Sequence, residues 1–596
     1  MIAHLLALTV GPVQDFIAAA RRTRDLWFGS YLLSEISKAA AKAVKDQGGK
    51  LIFPAPDSDE ELAPGSALNV ANVILAELGE GDPAAVARAA RQAAQARWRD
   101  FADQVFDRYQ GVIRAEIWKV QVDDVIEFYA AWHPYSPQSY QRDRAALMRL
   151  LAARKRCRDF RQAKGRAGVP KSSLDGLRES VLRPPHEWPE RSRHRLRLQE
   201  GEQLDIVGLV KRTWEPKSGN PSYPSVARIA ADPWIRLLQS KQIDLNPLIA
   251  ACRNLGRDIV HEFDTAEPRG HPQYAAFPFE GTVLFRSRHR DLRDEVEIEA
   301  GDSEFAQLVS ALDALSRDAK EKGLPGEPNP YLGVLVADGD RMGAAISRLG
   351  SPEEHRQFSE ALAAFAGKSA RIVREHQGVL VYSGGDDVLA FVPVDRCLAC
   401  ARELHNAFGG ALKQWSTAEG PPTLSVGLAI AHFMEPLEDL LRYGREAGKH
   451  AKSAHLKDSE GGRNGLAVHV VKRGGGPVAV RANWASETKK DLSHRLQKFA
   501  ECIAAQSVSG RVPYDLHTLA KLYETWPAES ARQAIESDVL RVLRRKQPRG
   551  ESKTPEHKIK DDSVADATSL RRLANELLIA RAIGAAGGAT VGSDSP

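Results

Sequence analysis

At 596 residues the chain is too long for one hydrophobic core, and 43% hydrophobic with 27% charged residues is the composition of a globular protein, not a disordered or fibrous one. Its 83 basic against 78 acidic residues leave a net charge of only +5, so any nucleic-acid contact must come from local clusters rather than a uniformly basic surface. The absence of any run of 18 apolar residues excludes a membrane-spanning helix, and five scattered cysteines fit a reducing cytoplasm better than a disulfide framework.

The N-terminus, Met1 to Leu8, lacks a basic start and a small-residue cleavage site, so no signal peptide is expected. Residues 4–10 are a short apolar run closed by Gly11-Pro12, and a helical pattern runs on to about residue 46. Strand patterns follow at 50–54 and 71–78, an alanine-rich helix at 84–108 and a strand pattern at 116–122. Strand, helix, strand, strand, helix, strand is the ferredoxin-like order used by polymerase palm domains. Residues 139–164 form a strongly basic helical pattern, followed by loop-rich sequence with shorter helices near 226–238 and 245–262. After the Gly-Pro-rich linker 323–330 the first pattern recurs: a buried strand from 331, a helix over 353–376, two strands around a Gly-Gly turn over 378–393, a helix over 395–415, a strand over 423–431, a helix over 436–453 and a closing strand over 465–472. The expected fold class is therefore α+β, with two ferredoxin-like palms (1–135 and 326–475), a helical and loop-rich connecting domain (136–325) and a C-terminal helical domain (476–596) whose last ten residues are expected to be disordered.

The chemistry concentrates in two segments of the second palm. The first is Tyr382-Ser383-Gly384-Gly385-Asp386-Asp387-Val388, a hairpin tip whose glycines allow a tight turn and the close approach of a nucleotide. Two adjacent carboxylates at such a tip repel each other, and a divalent cation relieves that cost. The second is Val336-Ala337-Asp338-Gly339-Asp340-Arg341-Met342-Gly343, where a buried strand ends in an acid and turns into a helix start. In a ferredoxin-like sheet this strand lies beside the hairpin, which places Asp338 opposite Asp386 and Asp387. Three such carboxylates can hold two Mg²⁺ (or Mn²⁺), a catalytic arrangement that activates an attacking 3′-hydroxyl and stabilises leaving pyrophosphate. Gly339 and Gly343 flank a helix start suited to a triphosphate, and Ser383, Gly384 and Gly385 are the expected nucleotide contacts of the hairpin. Asp340 fits a metal ligand or a helix N-cap equally well. The plain alternative for the whole set is a solvated hairpin and an unrelated acidic turn.

The opening residues Leu8-Thr9-Val10-Gly11-Pro12-Val13-Gln14-Asp15-Phe16-Ile17 and Ala20-Arg21-Arg22-Thr23-Arg24-Asp25-Leu26-Trp27-Phe28-Gly29-Ser30, together with the Asp338 turn and the Gly384–Asp387 hairpin, resemble the large subunit of Cmr-type (type III-B) CRISPR effector complexes. The resemblance implies a subunit that joins guide RNA and sister Cmr-type subunits. It further implies a second palm, switched on by target RNA, that converts ATP into cyclic oligoadenylate. Asp386 and Asp387 take the place of the family's paired metal-binding aspartates, and Asp338 that of its first-strand acid. Lys449 and Lys452 near the end of the 436–453 helix are a solvated basic end on the plain reading. Palm cyclases use a lysine about there, which makes Lys449 the expected phosphate contact.

Two departures accompany the resemblance. The first palm begins at residue 4 and the chain contains no His-Asp dipeptide, so no HD nuclease is expected. Ser172 and Asp175 stand where a Cys-x-x-Cys pair of a zinc insert would, with Asp205 replacing a later cysteine, so no zinc is expected. Cys397 and Cys400 read as small buried residues one helical turn apart. Gly11 and Gln14 occupy in the first palm the turn that Asp338–Arg341 occupies in the second, and fit either a nucleotide contact or a packed helix start. Basic clusters at 154–166, 191–197 and 541–546 are candidates for sequence-independent RNA phosphate contact. The alternatives to a cyclase are a palm enzyme with another cyclic or linear nucleotide product, or a non-enzymatic scaffold for RNA and sister subunits.

Overall fold

The computed structural model describes residues 3–587 apart from 158–164, 190–191, 193–195, 197, 200, 216–222, 257–258, 267–270, 297–301, 419, 454–461, 485–490, 506–507 and 546–565. Every arginine of the 191–197 cluster, Arg158, Arg161, Lys164, Lys546 and the last nine residues lie outside the described residues.

The first sheet contains β1 (His4–Gly11), β2 (Lys50–Phe53), β3 (Val73–Leu78) and β4 (Glu127–Pro134), in the order β2-β3-β1-β4 and antiparallel throughout. β1 is apolar on both faces because both are covered. Leu6, Leu8 and Val10 join the core beneath the helices Thr23–Asp46 and Pro83–Tyr109. Leu5 and Ala7 meet Tyr140, Leu147 and Leu151 of the helix Tyr140–Arg156 on the other side.

The expected strand at 116–122 is instead the helix Ala115–Gln121, and β4 supplies the fourth strand. Ile117, Trp118 and Gln121 are buried while Lys119 and Val120 are exposed, which is one face of a helix and not an alternating pattern. The β-branched and aromatic content that reads as strand is overridden by this packing. The helix expected over 245–262 covers only Asn246–Leu255, stopped by Gly256 at φ 87°.

The second sheet runs β10-β9-β8-β5-β7-β6, with β5 (Tyr331–Asp340), β6 (Val379–Ser383), β7 (Asp387–Val392), β8 (Thr423–His432), β9 (Gly465–Val470) and β10 (Val478–Asn483). β8 and β9 are parallel, joined across the helix Leu437–Lys452. β10, which lengthens the sheet by one strand, pairs antiparallel with β9.

Alternation along β5 sorts its side chains between two cores. Leu335 and Ala337 pack with the helices Pro352–Glu375 and Cys397–Leu412. Val334 points the other way, into the core shared with the first palm. The helices Leu492–Ala504, Val512–Leu522, Ala528–Arg545 and Ala567–Ala586 follow, the last of them packed on β9 and β10. Among the described residues no helix is long and apolar enough to cross a membrane.

Candidate active site

The second palm's hairpin closes on β5 through the register Asp338↔Asp387. Asp386 lies in the turn just before β7, and its carbonyl accepts the Gly339 N–H at 3.1 Å. A Cβ on Gly339 would stand 2.8 Å from the Asp386 Cβ, 2.8 Å from Met342 Cγ and 3.0 Å from Phe408 Cζ, so only glycine lets the tip approach the strand. Gly385 turns the tip at φ 92°, and Gly384 leaves room for the Tyr382 ring folded over it.

The outcome is a convergence of carboxylates. Among the described residues, Asp338, Asp386 and Asp387 form the one group of three potential ligands whose donor atoms all lie within 4.8 Å of one another. Burial pushes the Asp386 carboxyl up to about 6, reinforced by the Asp338 charge. Burial and then the charges of Asp386 and Asp338 raise Asp387 further. Lys452 answers this negative potential: its Nζ lies 2.6 Å from Asp338 Oδ2 and donates to the Gly339 carbonyl at 3.2 Å. An ammonium held by a carboxylate and a carbonyl stands in for a bound cation, and an all-oxygen donor set suits Mg²⁺ or Mn²⁺.

Several expected residues are placed otherwise. β5 continues through Asp340, which is fully buried. Its Oδ2 accepts from Ser425 Oγ at 2.7 Å, Thr423 Oγ1 at 3.0 Å and the Asn464 N–H at 2.8 Å. Asp340 therefore belongs neither to the carboxylate group nor to a helix cap; the cap position falls to Arg341, in the left-handed region at φ 62°. Gly339 is buried with its N–H already donated to the Asp386 carbonyl, so that N–H is not free for phosphate. Gly343 is exposed, with open space around it. The Ser383 hydroxyl is buried and accepts from Ser369 Oγ at 3.0 Å.

Lys449, the expected phosphate contact, is exposed, and it is Lys452 that reaches the carboxylates. A signal for this was present in the sequence. Gly444, Gly448 and Lys452 recur every four residues, and the two glycines pack on Val334 and Val336 of β5. One turn further along the helix, and one pleat further along β5, Lys452 meets Asp338.

In the first palm Gly11 ends β1 and Gln14 is exposed at the start of the short helix Gln14–Ala18. In the connecting domain the Ser172–Asp175 turn is closed by hydrogen bonds, with Asp175 Oδ1 accepting from Leu177 N at 2.9 Å. Asp205 caps the helix Ile206–Thr213 by accepting from Gly208 N at 2.8 Å. Cys397 and Cys400 are buried on one helix face.

A palm sheet with paired acids at its hairpin tip and a third acid across the strand pair, preceded by a second ferredoxin-like domain, defines the class as a tandem-palm protein. Family models agree with each palm: "Cas10/Cmr2, second palm domain" matches residues 331–461, and "CRISPR-associated protein Cmr2, N-terminal" matches residues 5–103. Over these two segments the chain is similar to the Cas10/Cmr2 family. It is 29% identical over 288 residues to the CRISPR system Cmr subunit Cmr2 of Pyrococcus furiosus, covering 43% of this chain and 30% of that protein. It is 37% identical over 104 residues to the Cmr2 subunit of Saccharolobus solfataricus, covering 15% of this chain and 10% of that protein. The chain thus spans less than a third of the length of these curated relatives. Its fold matches a chain of the type III-B Cmr-beta complex in the apo state, with a TM-score of 0.65 at 13% identity over 98% of this chain and 81% of that one. The match to the same complex bound to cognate target RNA has a TM-score of 0.63 at 13% identity, over 98% of this chain and 83% of that one.

Proposed function

We propose that this chain is the large subunit of an RNA-guided type III CRISPR complex, and that its second palm joins ATP into cyclic oligoadenylate when target RNA pairs with the guide. The observation that carries the enzymatic part is the convergence of Asp338, Asp386 and Asp387 at one sheet edge. Asp338, Asp386 and Asp387 would hold two divalent cations, which supply, when bound, Lewis-acid activation of a hydroxyl and charge neutralisation at the leaving pyrophosphate.

The chain's own residues prepare that chemistry. The Gly339 N–H fixes the Asp386 backbone. The Tyr382 ring, folded against Gly384, shields one side of the tip from water. Lys452 keeps the carboxylates partly neutralised and is within reach of a triphosphate placed over the tip. The RNA-guided part rests on the family and on the fold shared with a Cmr-beta subunit. Exposed Arg142, Arg149, Lys155 and Arg156 on the helix Tyr140–Arg156 offer RNA phosphate contacts.

The test is the assembled complex with guide RNA, matching target RNA, ATP and Mg²⁺ or Mn²⁺, with products identified by mass spectrometry. Cyclic adenylates that vanish in an Asp386→Ala, Asp387→Ala variant are expected. Linear products alone would overturn the cyclase reading, and unreacted ATP would leave a scaffold.

A further inference from the structure

The opening motif from Thr23 to Ser30 takes no part in the carboxylate site, yet its side chains are spent on long-range contacts. Thr23 Oγ1 donates to the Pro224 carbonyl at 2.8 Å, and Arg24 Nη2 to the Trp214 carbonyl at 2.6 Å. Asp25 pairs with the buried Arg212 at 2.8 Å, and Arg212 also holds Glu202 at 3.1 Å. The Trp27 ring stacks on Tyr223 with centroids 5.6 Å apart and planes at 24°. The motif is therefore a platform on which the connecting domain is seated at Arg212, Trp214, Tyr223 and Pro224.

What the platform presents is the Tyr223 hydroxyl. It donates to the Leu380 carbonyl of β6 at 2.6 Å. A second donor comes from the first palm itself, where Asn69 Nδ2 reaches the Ser383 carbonyl at 2.8 Å. Among the described residues β6 is the edge strand of the second sheet, so its outward carbonyls have no strand partner there. The helix Thr23–Asp46 packs alongside the same strand. Leu380 and Ser383 bracket Tyr382 and lead directly into the Gly384–Asp387 tip.

We infer that Tyr223 and Asn69 are positioning residues: from the first-palm side they clamp the outer strand of the acidic hairpin, so that docking of the two palms sets where Asp386 and Asp387 stand. The catalytic consequence rests on the function proposed above, whereas the clamp itself does not. It also gives the opening motif a role at a distance, through the Trp27–Tyr223 stack.

The test uses the full chain with Tyr223→Phe, which keeps the ring stack and removes only the donor, and with Asn69→Ala. Three readouts are taken: amide hydrogen exchange, the melting temperature, and kcat and KM for ATP in the assembled complex. Loss of one such hydrogen bond is expected to speed exchange of the 383–388 amides by about two- to tenfold. Amides of the helix Cys397–Leu412 stay as in the parent, and the melting temperature falls by no more than the few degrees that the loss of one hydrogen bond implies. kcat falls by a similar factor with KM unchanged, and the double variant exceeds either single one.

Exchange of 383–388 at the parent rate in both variants would overturn the clamp. So would acceleration spread uniformly across the second sheet rather than centred on 383–388, which is the mark of a merely structural contact. If the parent complex makes no product while exchange at the tip still responds, the clamp stands and the enzymatic reading falls.

Discussion

Gly339→Ala isolates the fit between β5 and the acidic hairpin. The added Cβ would sit 2.8 Å from both the Asp386 Cβ and Met342 Cγ, and 3.0 Å from Phe408 Cζ. Carbon atoms are comfortable at about 3.5–4.0 Å, so roughly 1 Å must be found. Met342 is flexible and yields on its side, but the Asp386 Cβ is tied to the hairpin backbone, whose carbonyl is bonded to Gly339 itself. Overpacking of this kind costs about 1–3 kcal/mol, or a few degrees of melting temperature at roughly 2–4 °C per kcal/mol. The larger effect falls on geometry, because a misplacement of about 1 Å can cost roughly 10²-fold in rate. Melting, Mn²⁺ titration and ATP turnover of the assembled complex would be measured together. Gly343→Ala, where the new methyl meets open space, is the control for packing and leaves melting and Mn²⁺ affinity near parent values. Parent-level turnover and Mn²⁺ affinity in Gly339→Ala would refute the argument that this glycine sets the distance between strand and tip.

The raised carboxyls predict a pH dependence. Asp386 at about 6, with Asp387 higher, lies above the unfolded value, so the folded metal-free chain binds more protons than the unfolded one. These two groups therefore weaken the metal-free fold progressively from about pH 4 to about pH 7. An Asp386→Asn, Asp387→Asn variant should gain melting temperature over the parent as pH rises through that window, while Mn²⁺ affinity of the parent rises over the same range. A constant difference between parent and variant would contradict the shift. Lys452→Met removes a positive charge beside Asp338, so Mn²⁺ binding to the free chain should tighten while ATP turnover falls; Lys449→Met should leave Mn²⁺ affinity unchanged. The reverse order would favour Lys449 as the lysine that acts at the site. Asp340→Ala orphans two hydroxyls and the Asn464 N–H, at about 1–3 kcal/mol for each group left buried and unpaired. It should lower the melting temperature more than Asp338→Ala does. An intact melting temperature with lost Mn²⁺ binding would make Asp340 a ligand after all.

Much of this architecture was legible along the chain. The Gly-Gly turn between two apolar runs marks a hairpin whatever surrounds it, and the helices Pro83–Tyr109 and Leu437–Lys452 begin and end close to their periodic patterns. The placement of Asp338 opposite Asp387 followed from strand order alone, since a ferredoxin-like sheet seats its first strand beside the hairpin. Less was legible where two local options were equally good. Residues 115–121 mix strand formers (Ile117, Trp118, Val120) with helix formers (Ala115, Glu116, Lys119, Gln121), and burial of Ile117 and Trp118 on one face of the turn selects the helix.

Local periodicity and turn chemistry operate over a few residues, so the sequence by itself determined the succession of strands and helices and the presence of an acidic tip. Which side chain ends beside which carboxylate depends on how closely one element settles on another, and that is decided by contacts between residues far apart in the chain. Glycines at 427, 444 and 448 bring the helix Leu437–Lys452 down onto β5 and β8, so Lys452 arrives at Asp338 and Lys449 remains in solvent. Hydroxyls on β8 draw Asp340 inward, and Tyr223 and Asn69 find β6 across the junction of the two palms.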